Sequence, residues 1–372
     1  MTKLEFEIIR LIDEKKDFNR IVYELMEPEE KIKKAYNDLI SNGYISNNAL
    51  SNKAMEELKN HKIDNAIILA AGMATRFVPL SYEIPKGLLD VDGLPLVERQ
   101  IVQLREKGIE EIVIVVGYKK DAFEYLKEKY GVILVESKEY KTKNNHSSVY
   151  AAKDYLKNSI ITSSDLYFTD NIFQKYAYDS YYTTIYMEGP TPERGISTNE
   201  DGLITDTFYG PRANNVWVTL GYAYFSSRFS NKMIEILDKI YDEPSTYNKF
   251  WADIQDDYLS DLYMYQKKCR NDVIYEFDSL KELREFDEKY KYDSNSKIMK
   301  ALSEMLSTTE NKLTDFEMLR ELKNTLFKFK KGDQEYIGDI DDDSDQSIEY
   351  KNSTYELKNK KNGVKIYEKR IG

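Results

Sequence analysis

Two patterns of apolar and polar positions divide the chain. In the first sixty residues, apolar residues recur every three or four positions, as in LEFEIIRLIDE and FNRIVYELM, which predicts amphipathic helices. From Asn65 onward, β-rich apolar runs (NAIILAAG, EEIVIVVGY, GVILVES, NSIITSSDLYF) alternate with helical stretches such as LVERQIVQLREKG and KDAFEYLKEKY. This alternation predicts an α/β sheet covered by helices, with ligands bound beyond the carboxyl ends of the strands.

The first segment has an order of its own. A third helical stretch, EPEEKIKKAYNDLISNG, ends on Asn-Gly and is followed by GYIS, the polar turn NNALSN and a fourth helix, KAMEELKNH. This order resembles a winged helix-turn-helix domain, which we expect over residues 1–62. DNA binding through EPEEKIKKAYNDLIS is one interpretation. Because the segment holds about as many acids as bases, an interaction or regulatory appendage is the favoured one.

The second half of the α/β region becomes strand-rich. The runs YYTTIYMEG, GLITDTFYG and NNVWVTLGYAYF predict an antiparallel lid, followed by the helices SNKMIEILDKIY and NKFWADIQDDYLSD and the strands LYMYQKK and DVIYEFDS. We therefore expect one domain over residues 63–292. Residues 293–372 are polar without clear alternation and predict a separate module.

Composition narrows the chemistry. The net charge of −11 argues against a broad nucleic-acid surface, and no apolar run approaches the length of a membrane span. The N-terminus lacks the pattern of a signal peptide, so we expect a cytoplasmic location. A single cysteine, Cys269, excludes an internal disulfide, and a total of two histidines argues against a His-rich zinc site. Metal chemistry should therefore use carboxylates, which suits Mg²⁺.

The stretch LAAGMATRFVPLSYEIPK follows a buried apolar strand. Small residues at the strand end let backbone N–H groups approach phosphate oxygens. Arg76 offers a planar fork for phosphate and Lys86 a mobile point charge, while Pro79 and Pro85 stiffen the loop between them. The stretch fits neither GxxxxGK[ST] nor GxGxxG, yet it predicts a triphosphate-binding loop.

This stretch resembles the signature of the nucleotidyltransferase superfamily, L-A-A-G-x-x-x-R-x-x-P-x-(T/S)-x-x-x-P-K, and the resemblance extends from about Asn65 to Tyr290. It implies a Rossmann-like mixed-sheet nucleotidyltransferase fold with an antiparallel lid, Arg76 and Lys86 as catalytic cations, and Mg²⁺ held by Asp165 and Asp278. One departure is Ala74, where many members carry glycine or serine; we expect the loop to tolerate it.

Nucleotide binding is expected at the strand ends and in the segment NNHSS. Amide and hydroxyl groups there can read a pyrimidine edge, although NNHSS could instead cap the helix that follows. The predicted nucleotide-binding residues are Leu69, Ala70, Ala71, Gly72, Met73, Gly117, Tyr118, Asn145 and Ser147.

The acceptor is indicated by GYKKDAFEYLKEKYGVILVESKEY, NNHSSVYAA and YEFDSLKEL, which most resemble CTP:phosphocholine cytidylyltransferases. A quaternary ammonium group needs aromatic faces and a carboxylate. The predicted substrate-binding residues are Glu193, Trp217, Tyr222, Tyr224, Trp251 and Asp253. Arg194 and Ala252 depart from the family pattern, since family members commonly have Glu-Trp where this chain has Glu193-Arg194.

The order of the segments also resembles composite bacterial phosphocholine enzymes, which implies that residues 293–372 are a truncated choline-kinase-like N-lobe remnant without kinase activity. The leading hypothesis is an Mg²⁺-dependent transfer from CTP to phosphocholine. The alternatives are phosphoethanolamine or 2-aminoethylphosphonate as acceptor, a sugar-1-phosphate enzyme, and a weakly active sensor of CDP-choline that signals through the winged helix. Nucleic acid remains a possible partner of residues 1–62, and the sequence does not set the oligomeric state.

Overall fold

The computed structural model describes residues 1–47, 49–323, 325–341 and 347–370. Contacts divide the chain into two units: residues 1–71 with 99–276, and residues 72–98 with 277–372. This division groups distant parts of the chain. The three-domain division expected from the sequence therefore stays a prediction.

The first unit begins with a helical segment in the predicted order. A hairpin of Ile45–Ser46 and Ala49–Leu50 separates the third helix from the fourth. Buried apolar side chains, among them Phe6, Ile9 and Leu39, form its core. The helices span Lys3–Asp13, Phe18–Leu25, Glu29–Ser41 and Asn52–Asn60.

The main sheet of the first unit combines a parallel and an antiparallel part, as the mixed-sheet prediction requires. In order, its strands are Ile204–Phe208, Gly195–Thr198, Asn214–Phe225, Ser159–Ser163, Asn65–Ala70, Glu111–Val116 and Ile133–Glu136. The last four run parallel to one another. Strand Asn214–Phe225 pairs antiparallel with both Ser159–Ser163 and Tyr181–Pro190, and the latter pairs with Tyr265–Lys268.

Helices and a small ribbon complete this part of the chain. Strands Leu166–Phe168 and Ile274–Glu276 pair antiparallel with each other. The helices span Leu96–Glu106, Tyr125–Tyr130, His146–Ala151, Ser227–Ile240 and Trp251–Asp257. Within the described residues, no helix is long and apolar enough to cross a membrane.

The second unit contains an antiparallel sheet, although the sequence suggested only a weak pattern there. Buried and partly exposed residues do alternate along its Lys-rich strands. Phe327 and Phe329 are fully buried, whereas the lysines that follow each of them, Lys328 and Lys330, are half-buried. The strand order is Leu313–Met318, Leu326–Lys331, Gln334–Asp339, Val364–Lys369, Ser353–Lys361 and Ile348–Tyr350. The helices are Leu280–Phe286, Lys289–Tyr292 and Lys297–Met305, and a short ribbon pairs Asp90–Val91 with Leu94–Pro95.

Candidate active site

The buried strand Asn65–Ala70 carries the first predicted nucleotide-binding residues. All six of its residues are buried, and it lies between two parallel neighbours. At its carboxyl end the Leu69 carbonyl accepts from Ser164 N (3.0 Å) and the Ala71 carbonyl from Tyr118 N (3.1 Å). These bonds hold the ends of three adjacent strands in register, where a parallel sheet binds its ligands.

Gly117 has a packing reason to be glycine. A Cβ added there would lie 2.8 Å from the Tyr140 ring and 2.9 Å from the Ala71 carbonyl oxygen, closer than real side chains approach. Tyr118 follows directly, and burial raises the pKa of its hydroxyl. Gly117 therefore lets the chain pass close to Ala71.

The loop that begins the second unit leaves room above its backbone. A Cβ added at Gly72 would meet no atom within 4 Å, and Gly72 is exposed. Met73 beside it is half-buried. Ala74 adopts φ = 48°, the left-handed region that costs an L-residue about 1–2 kcal/mol. The loop accommodates the alanine, but in a backbone conformation that glycine would adopt without strain.

Arg76 and Lys86 converge on one carboxylate within the second unit. Asp278 Oδ1 lies 2.9 Å from Arg76 Nη2 and 3.3 Å from Lys86 Nζ. The Arg76 side chain is 71% exposed and that of Lys86 is 12% exposed. Arg76 and Lys86, the two predicted catalytic cations, therefore lie beside the same carboxylate, and Arg76 is the more exposed of the two.

Asp165 lies in the turn after strand Ser159–Ser163, in the first unit. The next residue, Leu166, pairs with Glu276 across the small ribbon, and carboxylate oxygens of Asp165 and Glu276 lie within 4.8 Å of each other. Oxygen ligands at this spacing suit a hard divalent cation such as Mg²⁺. Glu276 was missed by sequence reasoning, although in VIYEFDS it stands two residues before Asp278, the spacing that shares one face of an extended chain.

The segment NNHSS belongs to the first unit and is hydrogen-bonded to the start of the helix Trp251–Asp257. Asn145 Oδ1 accepts from Trp251 N (2.8 Å), and the Asn145 side chain does not cap its own helix. Ser147 is buried, with its hydroxyl 3.3 Å from that of Ser137. His146 Nδ1 lies 2.7 Å from the Lys249 carbonyl, and burial lowers the pKa of its imidazole.

The aromatic residues predicted to bind the substrate do not all lie on one side of the sheet. Tyr222 and Tyr224 are buried and pack around Tyr181, so they are core residues. Trp251 is also buried and stacks on Tyr182, the next residue along that strand. Since consecutive strand residues face opposite sides of a sheet, these aromatic rings cannot surround one ligand.

Trp217 occupies a different position from the other aromatic candidates. It is half-buried and meets the ring of Tyr186 edge-on at 5.6 Å. Of the predicted aromatic residues it therefore keeps the most accessible ring.

The two acidic residues predicted to bind the substrate also differ in their surroundings. Glu193 is exposed, whereas Asp253 caps the helix Trp251–Asp257 by accepting from Phe250 N (2.7 Å). Arg194 is buried but forms an ion pair with Asp256 and donates to Gln255. The Asp256 carboxylate thus neutralises the charge of Arg194, one of the two residues that depart from the family pattern.

Comparisons with known proteins agree with this architecture. Residues 66–181 match the model of the MobA-like NTP transferase domain. The chain is 35% identical to a choline-phosphate cytidylyltransferase of Streptococcus pneumoniae, over 60% of this chain and 96% of that protein. It is also 35% identical to a 2-aminoethylphosphonate cytidylyltransferase of Lancefieldella rimae, over 63% of this chain and 96% of that protein.

A solved structure extends the likeness to three dimensions. The structure of the CTP:phosphocholine cytidylyltransferase from Streptococcus pneumoniae superposes with a TM-score of 0.58 at 35% identity, covering 60% of this chain and 97% of the other. A glucose-1-phosphate thymidylyltransferase structure from Bacillus anthracis, with a TM-score of 0.51 at 16% identity, shares the fold alone. The chain is therefore a nucleotidyltransferase and belongs to the family that contains these cytidylyltransferases.

Proposed function

We propose that the protein transfers a cytidylyl group from CTP to phosphocholine, forming CDP-choline and pyrophosphate. The observation that carries the proposal is the convergence of Arg76 and Lys86 on Asp278, in a segment that begins with the open backbone of Gly72. A phosphate monoester near pH 7 is already an anion and needs no general base. An acceptor oxygen forms a bond to the α-phosphorus of CTP, while the bond from that phosphorus to the β-phosphate oxygen breaks and pyrophosphate leaves.

Each cation has its own part in this reaction. Arg76, exposed and planar, binds the β- and γ-phosphates with the backbone N–H groups of the loop. Lys86, held in a half-buried position, neutralises the charge that gathers around the α-phosphate and the acceptor. Because no covalent intermediate is formed, the rate depends on positioning and on preorganised charge.

Asp165 and Asp278 are the proposed Mg²⁺ ligands, with Glu276 as an additional candidate. The proposal is supported by the oxygen spacing of Asp165 and Glu276 and by the position of Asp278 two residues further along the chain. Bound Mg²⁺ would neutralise charge on the triphosphate. Base recognition is assigned to Asn145 and the strand-end residues around Gly117 and Tyr118.

2-Aminoethylphosphonate is the second candidate acceptor. Two observations favour it. The relative that carries this name is as similar in sequence identity as the phosphocholine enzyme, and the core positions of Tyr222, Tyr224 and Trp251 weaken the case for a full aromatic cage. Trp217, which is half-buried, and Glu193, which is exposed, are the remaining lid residues proposed to bind the amine.

The test is pyrophosphate release from CTP, UTP or ATP with phosphocholine, phosphoethanolamine, 2-aminoethylphosphonate or glucose-1-phosphate as acceptor. We expect turnover with CTP and phosphocholine at least tenfold above the other pairs. Preference for 2-aminoethylphosphonate would move the assignment to the second candidate. Preference for glucose-1-phosphate would refute both.

A further inference from the structure

The signature segment, residues 72–98, belongs to the same compact unit as residues 277–372. The C-terminal residues therefore do more than follow the catalytic domain along the chain. Their contacts with the signature segment concentrate on both sides of Lys86.

Glu83 makes the most specific of these contacts. Its carboxylate accepts from Lys297 N (2.9 Å) and Ile298 N (3.4 Å), and it also accepts from the Ser296 hydroxyl. These backbone groups open the nine-residue helix Lys297–Met305, where the first N–H groups lack partners within the helix. Ser296 is the N-cap and accepts from Met299 N (3.0 Å), and Glu83 completes the cap by accepting from the next two N–H groups, more than two hundred positions later in the chain.

Tyr82, one residue before Glu83, makes a second contact with the C-terminal residues. The Tyr82 hydroxyl donates to the Leu326 carbonyl (3.3 Å), and the Tyr82 ring lies 5.8 Å from that of Phe327. Both partners belong to a central strand of the antiparallel sheet.

A third contact follows Lys86. The Tyr290 hydroxyl donates to the Asp90 carbonyl (2.7 Å), and the Asp90 carboxylate forms an ion pair with Lys289. Lys86 therefore lies between two anchored points, with its ammonium on Asp278 of the same unit.

We propose that Glu83 is a positioning residue for the transfer reaction: by capping helix Lys297–Met305, it fixes the path of the segment that carries Lys86. The C-terminal residues would then help to position the segment that carries Lys86. This inference rests on the proposed function. Because Lys86 acts where charge develops, a small displacement should reduce kcat more than it weakens CTP binding.

The test compares Glu83→Ala with the wild-type full-length protein. We expect kcat to fall about tenfold or more, with KM for CTP changed less than about threefold. Backbone amides of residues 72–98 should exchange hydrogen faster. Glu83→Gln, which keeps one acceptor oxygen of the carboxylate, should lie between the two.

Ser51→Ala is the matched control. Ser51 caps another nine-residue helix, Asn52–Asn60, by accepting from Ala54 N (3.3 Å), and this helix belongs to the first unit, whereas the signature segment belongs to the second. Ser51→Ala should lower the melting temperature about as much as Glu83→Ala does, and it should leave kcat unchanged. An unchanged kcat in Glu83→Ala, or an equal loss of kcat in Ser51→Ala, would overturn the proposal.

The exchange measurement separates this inference from the proposed reaction, because it needs no turnover. Faster exchange of residues 72–98 in Glu83→Ala supports the anchoring role even if no acceptor is converted. Unchanged exchange refutes that role even if the protein proves an efficient cytidylyltransferase.

Discussion

A single carboxylate, Asp278, pairs with both cations of the signature segment. At the residue scale, this arrangement gives Arg76 and Lys86 defined positions before any nucleotide arrives. Electrostatic preorganisation of this kind is usually the largest single contribution to enzymatic rate acceleration.

Lys86→Ala should reduce kcat by about a hundredfold or more, as the loss of one preorganised donor does elsewhere. The measurement is pyrophosphate release under saturating CTP and acceptor. Lys328→Ala is the control: that lysine is similarly buried, with 17% of its side chain exposed, and pairs with Glu317 at 2.7 Å in the C-terminal sheet. Near-wild-type turnover of Lys86→Ala would contradict the assigned role.

Two glycines should respond oppositely to alanine. Gly72→Ala places a methyl group in open space at an ordinary φ, so folding should be unaffected while CTP affinity falls about tenfold or more. Gly117→Ala instead forces the Tyr140 ring and the Ala71 carbonyl apart, and should destabilise the protein by about 1–3 kcal/mol. Calorimetric titration with CTP and urea unfolding distinguish the two effects. Intact CTP binding by Gly72→Ala would contradict the proposed phosphate position.

At the scale of elements, the short strand Tyr265–Lys268 carries an ammonium group in an aromatic setting. Lys267 Nζ donates to the Ile172 carbonyl (2.9 Å) and lies 4.8 and 4.9 Å from the ring centres of Tyr181 and Tyr222. Burial lowers the pKa of Lys267 to about 8. Keeping this side chain protonated at neutral pH therefore costs stability.

The pH dependence follows from that shift. Between pH 8 and the unfolded value of 10.5, the unfolded chain binds more protons at Lys267 than the folded one, so stability rises with pH. Relative to Lys267→Met, the wild-type protein should gain at most about 3 kcal/mol across this interval. Urea unfolding of both proteins at several pH values measures the difference, with Lys268→Met as the control for loss of charge from the strand. If stability changes with pH equally in the wild type and in Lys267→Met, the lowered pKa of Lys267 is contradicted.

Elements were more predictable from the sequence than the site was. Continuous apolar runs such as IVIVV and the signature motif fix the parallel strands and the loop, because both signals are local. The lid aromatics were not predictable, since Tyr181 and Tyr182 face opposite sides of one strand and the bulge between Tyr182 and Thr184 shifts the register of its partner. Glu83 as a helix cap was equally hidden, because its partners are distant in sequence and no local pattern indicates them.

At the scale of the whole molecule, charge argues against a DNA-binding regulator. The net charge is −11, and lysines of helix Glu29–Ser41 are paired with acids one turn earlier, as in Lys31–Glu27 (3.1 Å) and Lys33–Glu29 (2.7 Å). Few cations are left to displace counterions from phosphate backbones.

We therefore expect no complex with genomic DNA fragments below about 10 μM protein at physiological salt, with or without CDP-choline. Fluorescence anisotropy measures this, and a salt titration identifies any nonspecific component. Tight binding that CDP-choline strengthens or weakens would instead support the sensor hypothesis for residues 1–62.

The pairing of Asp278 with Arg76 and Lys86 also bears on how the proposed cycle ends. When pyrophosphate departs from the proposed site, Arg76 loses its counter-anion, and a loop without an internal substitute would hold the product by charge alone. Asp278, whose Oδ1 lies 2.9 Å from Arg76 Nη2, can take the product's place, so release becomes an exchange of anions. In the proposed site the same carboxylate competes with every incoming anion for Arg76, so the triphosphate must displace it in order to bind.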